Sequence, residues 1–235
     1  MNWGPPPKPA ELAEARLVDA FLDGRFPPQT LLPAERELAA LLGVTRPTLR
    51  EVLQRLARDG WLEIRHGLPT RVRDYWREGN LGVLAAIARH ADHLPRDFVP
   101  NLLAVRTSLA PAYTRLAVER QPQALADLLQ AHVALPDTPH AFASADWELH
   151  HWLTLASANP VFTLILNGFA ALYPAMALRY FHYRVCRRHS SAFYAELLTA
   201  AQDHDPPAAE ALARRVMAES QALWRRWAEA HGEPA

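Results

Sequence analysis

LLPAERELAALLGVTRPTLREVLQRLARDGWLEIRHGLPTRV, residues 31–72, is the stretch whose reading decides how the rest of the chain is understood. A short helix is predicted over about Ala34–Leu42, with Glu35 and Glu37 near the positive end of its dipole and Leu38, Leu41 and Leu42 available for packing. Gly43 and Val44 turn the chain. Thr45 can cap the next helix through its side-chain oxygen, and Pro47 falls in that helix's first turn, where a missing N–H does little harm. Leu49, Val52, Leu53 and Leu56 supply a buried stripe, which leaves Arg46, Arg50, Gln54 and Arg58 on other faces. After Gly60 the period changes: Leu62 and Ile64, then Thr70 and Val72, read as two short strands around His66, Gly67, Leu68 and Pro69.

Upstream, Ala10, Ala13, Leu17 and Phe21 recur at helical spacing, so a first helix is expected to end near Leu22, before Gly24, Pro27 and Pro28. The residues through Pro9, with Trp3 and Pro5, Pro6 and Pro7, read as a proline-rich arm. Downstream, 74–79 reads as a linker or helix entry, followed by helices near 80–91, 96–119, 122–132, 140–157, 160–182, 189–203 and 207–230. The fold expected is mainly α: a winged helix-turn-helix with a small β-hairpin over 1–73, the linker, and an all-α bundle of about seven helices over 80–235. No solenoid-period repeat and no long heptad run interrupts that pattern.

Composition narrows the function. The 235 residues carry 25 basic and 25 acidic side chains, a formal net charge of zero, so any polyanion binding must be local. It is localised: residues 31–73 hold eight arginines against five acids, whereas 74–235 hold fourteen basic and sixteen acidic residues. A single cysteine, Cys186, makes no internal disulfide and suits a reducing compartment. With no apolar leader and every long apolar stretch broken by charge, a cytoplasmic protein without membrane partners is expected. The chain has no phosphate loop, HExxH or nucleophile elbow, so no enzyme class is favoured.

Chemistry then follows from placement. A helix whose first turn carries threonines and arginines fits a DNA major groove and aims donors at base edges and phosphates. Thr45, Arg46, Thr48 and Arg50 are the candidates, with Arg36 as a further backbone or base contact. His66 and Gly67 at the hairpin tip suit a wing entering the minor groove, where glycine permits close approach. The helical part contains polar groups within apolar helices, namely Arg106, Thr107, Tyr180, Glu219, Ser220 and Trp224. These fit either a ligand pocket or the satisfied interior of a dimerisation body.

The 31–72 stretch resembles the winged helix-turn-helix of the GntR superfamily, and most closely its fatty-acid-responsive FadR branch. The resemblance continues through NLLAVRT at 101–107, ASANPVF at 156–162, LILNGF at 164–169 and ES…LW at 219–224. It implies a homodimer on a palindromic double-stranded operator, with Arg36, Thr45, Arg46, Thr48 and Arg50 at DNA-contact positions and His66 and Gly67 at the wing tip. Pro47 stands where the family has a threonine contact, and Leu68 where it has a basic residue. The resemblance also implies a helical effector domain that needs no cofactor, binds long-chain fatty acyl-CoA and then releases DNA. Arg106, Thr107, Tyr180, Glu219, Ser220 and Trp224 match positions tied to ligand or signalling; Met217, Val216 and Glu229 depart from the family's glycine, tyrosine and lysine. Related GntR effector domains hold a divalent metal with an aspartate and three histidines. Asp146 and His150 match the first two of these, but Phe193 or Tyr194 occupies a histidine place. The alternatives are a regulator answering another small carboxylate, with or without metal, and an architectural DNA-binding dimer without effector.

Overall fold

A computed structural model describes residues 8–90 and 98–231, apart from the side chains of Val133 and of residues 227–231; the arm over 1–7 lies outside them. The chain forms two compact units, Met1–Leu94 and Pro95–Ala235. The first contains α1 (Pro9–Leu22), α2 (Glu35–Leu42), α3 (Arg46–Asp59), β1 (Leu62–Glu63), β2 (Arg71–Val72), α4 (Tyr75–Glu78) and α5 (Leu81–Arg89).

In this unit α1 and α2 pack on α3. Leu17 and Phe21 of α1 and the predicted stripe of Leu49, Val52, Leu53 and Leu56 are all essentially buried. Leu41 is an exception to the expected packing, being 66% exposed. Gly43 ends α2 at φ 69°, where a side chain would be strained, and so permits the tight turn into α3. β1 and β2 pair antiparallel, Leu62 opposite Val72 and Glu63 opposite Arg71. The segment before α2 adds an edge that the alternation did not suggest: Leu32 N–H donates to the Thr70 carbonyl at 2.8 Å and Val72 N–H to that of Thr30 at 2.8 Å.

Trp61 is fully buried between Phe21 and Tyr75, with ring centroids 5.7 and 4.7 Å away. The Tyr75 hydroxyl donates to the Phe21 carbonyl at 3.0 Å, which fastens α4 to α1. The expected linker at 74–79 therefore contains a helical turn built into the core. The helix expected to open the effector domain at residue 80 belongs with this unit as well. Asn80 caps α5 by accepting from Gly82 N–H at 2.7 Å, and His90 Nδ1, just after α5, lies 2.6 Å from Asp19 Oδ1 of α1.

Among the described residues the second unit is a bundle of seven helices: α6 (Phe98–Arg120), α7 (Pro122–Val133), α8 (Pro139–Ala156), α9 (Pro160–Asn167), α10 (Tyr173–His182), α11 (Arg184–Gln202) and α12 (Pro206–His231). The helix expected over 160–182 is two helices. Successive i→i+3 turns follow Asn167, and Pro174, which has no N–H to give, sits in the first turn of α10. α11 begins earlier than its periodicity suggested, because Tyr183 is extended and re-aims the chain. Buried Arg187 closes the junction by donating to the carbonyls of Phe181 at 2.7 Å and His182 at 2.9 Å, at the negative end of α10. No helix among the described residues is long and apolar enough to cross a membrane.

Candidate DNA-contact face and ligand cavity

Two sites emerge, one in each unit. The first is the start of α3. Thr45 is extended at the N-cap, and its Oγ1 accepts from Thr48 N–H at 3.3 Å, while the two hydroxyls lie 2.8 Å apart. This cap satisfies one of the orphan donors of the first turn and holds that turn open to solvent. Arg46 and Arg36 are exposed and, among the described residues, pair with no carboxylate. Arg50 is exposed too, but its Nε donates to Glu35 Oε2 of α2 at 2.7 Å. Pro47 is exposed in the same turn and brings no side-chain donor.

The hairpin lies in the same unit. Its tip residues His66, Gly67 and Leu68 are all exposed, Leu68 by 60%, and the turn closes with Leu68 N–H to the Arg65 carbonyl at 3.2 Å. Gly67 has φ 73° with nothing near its missing Cβ, so glycine is needed there for backbone conformation rather than for space. Glu63 anchors the base of the hairpin between Arg65 at 2.6 Å and Arg71 at 2.7 Å. Hydrogen bonds from these two arginines hold its carboxyl below the usual range.

The second site is a cavity in the helical unit, about 1140 Å³ of atom-free space that includes part of the solvent outside it. Its wall is mostly apolar, with Leu102 and Leu109 from α6, Phe162 and Ile165 from α9, and Val216 and Met217 from α12. A polar cluster interrupts it. Arg106 of α6 donates from Nη2 to Asp146 Oδ2 of α8 at 3.0 Å, and the hydroxyl of Tyr173 from α10 donates to the same oxygen. Tyr194 of α11 reaches Oδ1 at 3.5 Å. Burial opposes both charges of this pair, but each outweighs that cost for the other: Arg106 is held protonated, and the Asp146 carboxyl is held below its ordinary range by Arg106, with the Tyr173 hydroxyl assisting. His150, 1% exposed, lies with Nδ1 2.8 Å from the Tyr113 hydroxyl, and burial together with Arg106 pushes its pKa down to about 3.

Of the six residues expected at an effector site, Arg106, Tyr180, Ser220 and Trp224 line this cavity. Burial drives the Tyr180 phenol upward, with Cys186 and Ser220 as its polar neighbours, and the buried Cys186 thiol is pushed up to about 11. Thr107 and Glu219 do not line it. Thr107 Oγ1 bonds back to the Leu103 carbonyl at 2.9 Å, and Glu219, 45% exposed, faces His189 at 3.7 Å and Arg215 at 3.6 Å. Met217 and Val216, two of the three departures, are buried wall residues; the Glu229 side chain lies outside the described residues.

Asp146, His150, Tyr113 and Tyr173 enter the wall beyond the six expected residues. A usable signal existed: Arg106 and Tyr113 are seven apart on one helix face, as are Asp146 and His150 at four. The metal pattern does not fit here. The guanidinium of Arg106 takes the place on Asp146 that a cation needs, Phe193 and Tyr194 offer no imidazole, and among the described residues no three His, Cys, Asp or Glu side chains converge.

Comparison with known proteins places both units. Residues 9–72 match the model of bacterial regulatory proteins of the gntR family, and residues 73–231 match that of the FadR C-terminal domain. The chain is 42% identical over 225 residues to the fatty acid metabolism regulator protein of Shewanella amazonensis, covering 94% of this chain and 92% of that one. It is 40% identical over 217 residues to the protein of the same name from Serratia proteamaculans, covering 92% and 91%. Among solved structures, Lar, which controls expression of the Listeria monocytogenes agr system, shares the fold with a TM-score of 0.61 at 14% identity, covering 95% of this chain and 99% of that one.

Proposed function

This chain belongs to the FadR family of bacterial gntR-type regulators, and from that premise we propose that it is a cytoplasmic, homodimeric transcription regulator of fatty acid metabolism. It is a non-enzymatic DNA-binding protein that holds a palindromic operator and releases it when long-chain fatty acyl-CoA fills the helical unit. The observation that carries the reading is the presence, in one chain, of a capped and exposed arginine-bearing helix start beside a hairpin, and of a large apolar cavity walled by helices.

In this reading α3 of each protomer enters the major groove of one half-site. Arg46 is free to meet a base edge or phosphate. Arg50 must exchange Glu35 for DNA, so part of its binding energy is spent on breaking that pair. Thr45 and Thr48 act through the cap and through phosphate contact, Arg36 through the backbone, and His66 and Gly67 through the adjacent minor groove. Pro47 and Leu68 lack the donors of their family counterparts, which lowers affinity, and loss of a cation at Leu68 also lowers the salt slope.

The acyl chain is held by apolar burial at about 0.8 kcal/mol per CH₂, which makes binding steep in chain length. Arg106, Tyr180, Ser220 and Trp224 act from the cavity wall; Thr107 and Glu219, outside it, act only indirectly. Release requires that acyl-CoA bind one state of the dimer better than the other.

The test has two arms. Anisotropy of a labelled palindromic duplex against a scrambled one, at fixed salt, should show preference for the palindrome. A thermal shift with palmitoyl-CoA should raise the melting temperature. Equal affinity for both duplexes defeats the operator reading; preference for the palindrome with no shift from any acyl-CoA leaves an architectural dimer or a regulator of another ligand.

A further inference from the structure

The cavity wall contains buried polar atoms that make no hydrogen bond among the described residues, the Tyr180 hydroxyl and His150 Nε2 among them. His150 Nε2 is fully buried and, among the described residues, makes no hydrogen bond. The ring itself is well fixed, edge-on to Tyr113 and stacked on Phe193. Asp146 Oδ1 stands 3.8 Å from Nε2, beyond the roughly 3.2 Å reach of an N–H···O bond. The other oxygen of Asp146 is already taken by Arg106 and Tyr173.

The network also assigns the tautomer. Burial and the Arg106 charge keep the imidazole neutral, so it carries a single hydrogen. The carboxylate oxygen Asp146 Oδ1, 3.8 Å from Nε2, favours the hydrogen on that nitrogen, which leaves Nδ1 to accept from the Tyr113 hydroxyl. The ring's own hydrogen then sits on Nε2 and has no acceptor. A saturated hydrocarbon laid in the cavity would leave that N–H buried against methylene groups, the costly arrangement for a donor.

We propose that the cavity selects acyl chains carrying an oxygen on the hydrocarbon, a hydroxyl or oxo group, and that His150 determines this specificity by donating its Nε2–H to that oxygen. The proposal rests on the acyl-CoA reading above and narrows its ligand class. A site with a fixed, desolvated donor discriminates against the analogue that lacks the acceptor more strongly than an apolar wall discriminates on shape.

The experiment is a binding titration of the intact protein with palmitoyl-CoA and with hydroxypalmitoyl-CoAs whose hydroxyl is moved along the chain. One position, or adjacent ones, should bind about five- to tenfold tighter than palmitoyl-CoA, the scale of one neutral hydrogen bond. His150→Phe should erase that ratio, and His150→Gln, which keeps an N–H donor, should retain part of it. Because the readout is a ratio within each protein, a general loss of affinity does not imitate it, and the wild-type series alone is decisive should a variant fail to fold. If no hydroxylated chain outbinds palmitoyl-CoA, as when a water fills the place, or if the preference survives in His150→Phe, the inference is overturned while the acyl-CoA reading stands. If no acyl-CoA of any kind binds, that reading fails and the inference falls with it.

Discussion

The two units treat their charged groups in opposite ways. The winged unit keeps an interior of Trp61, Phe21 and leucines and puts its arginines outside, where Arg36 and Arg46 face solvent and Arg50 is held only by an exposed glutamate. The helical unit encloses an arginine, an aspartate, a histidine and several tyrosines within its apolar bundle. A surface that displays charge is built to meet a polyanion whose own charge completes it. An interior that contains charge must satisfy it internally, because an unpaired buried charge is costly.

This contrast predicts unequal sensitivity to mutation. The largest effect should come from Arg106→Leu, which leaves the Asp146 carboxylate buried without its cation; unfolding in urea should show a loss of about 3–5 kcal/mol. Adding Asp146→Leu should recover much of it. A loss under about 1 kcal/mol for the single variant would mean that the interior charge is solvated after all.

Next in size is acid sensitivity. His150 titrates near 6.5 when unfolded and at about 3 when folded, so between those values the unfolded chain binds the extra proton and stability falls as pH falls. From pH 6.5 to 4.5 this group alone should remove about 2–3 kcal/mol. Asp146, whose folded value is depressed, adds to the fall only at lower pH, below its ordinary 3.8. His150→Phe should flatten the pH 4.5–6.5 slope, and an unchanged slope would place its origin elsewhere.

On the exposed side the effects should appear in binding and not in folding. Arg46→Ala should cost about 2 kcal/mol of operator affinity, roughly thirtyfold, with an unchanged melting temperature. Wild-type affinity would remove Arg46 from the reading. Smallest of all, Glu35→Gln should free Arg50 and tighten DNA binding by about twofold to fivefold at low salt, because an exposed pair is worth less than about 1 kcal/mol. Weaker binding in that variant would show that Glu35 aims Arg50 at DNA instead of competing for it.

The same contrast explains what could be read from sequence. The winged unit was legible because its signals are local: a glycine between two helices, a threonine cap, a proline at a first turn, a leucine stripe, and then a change from helical to alternating period. What was missed there depended on partners elsewhere, as when residues 29–32 join β2 or when Tyr75 reaches back to Phe21. In the helical unit the helices were mostly legible from their apolar spacing, except that Pro174 was passed over inside what is really a helix junction.

The cavity was only partly legible. Arg106 was visible as a charge in an apolar helix, but its partner Asp146 arrives from α8, and the tyrosines that bond Asp146 arrive from α10 and α11, Tyr194 lying 88 positions from Arg106 in the sequence. Periodicity gives a face for each helix and does not say which faces meet. The same gap hides from the sequence that Thr107 and Glu219, neighbours of wall residues, do not line the cavity.

In the proposed switch, the interior of one unit governs what the exterior of the other can hold. This is tested most directly by titrating the protein–operator complex, at fixed salt, with palmitoyl-CoA and with acetyl-CoA while following anisotropy. Release by the long chain is expected at concentrations where the short one does nothing. An operator complex that remains intact with the cavity saturated by palmitoyl-CoA would contradict it.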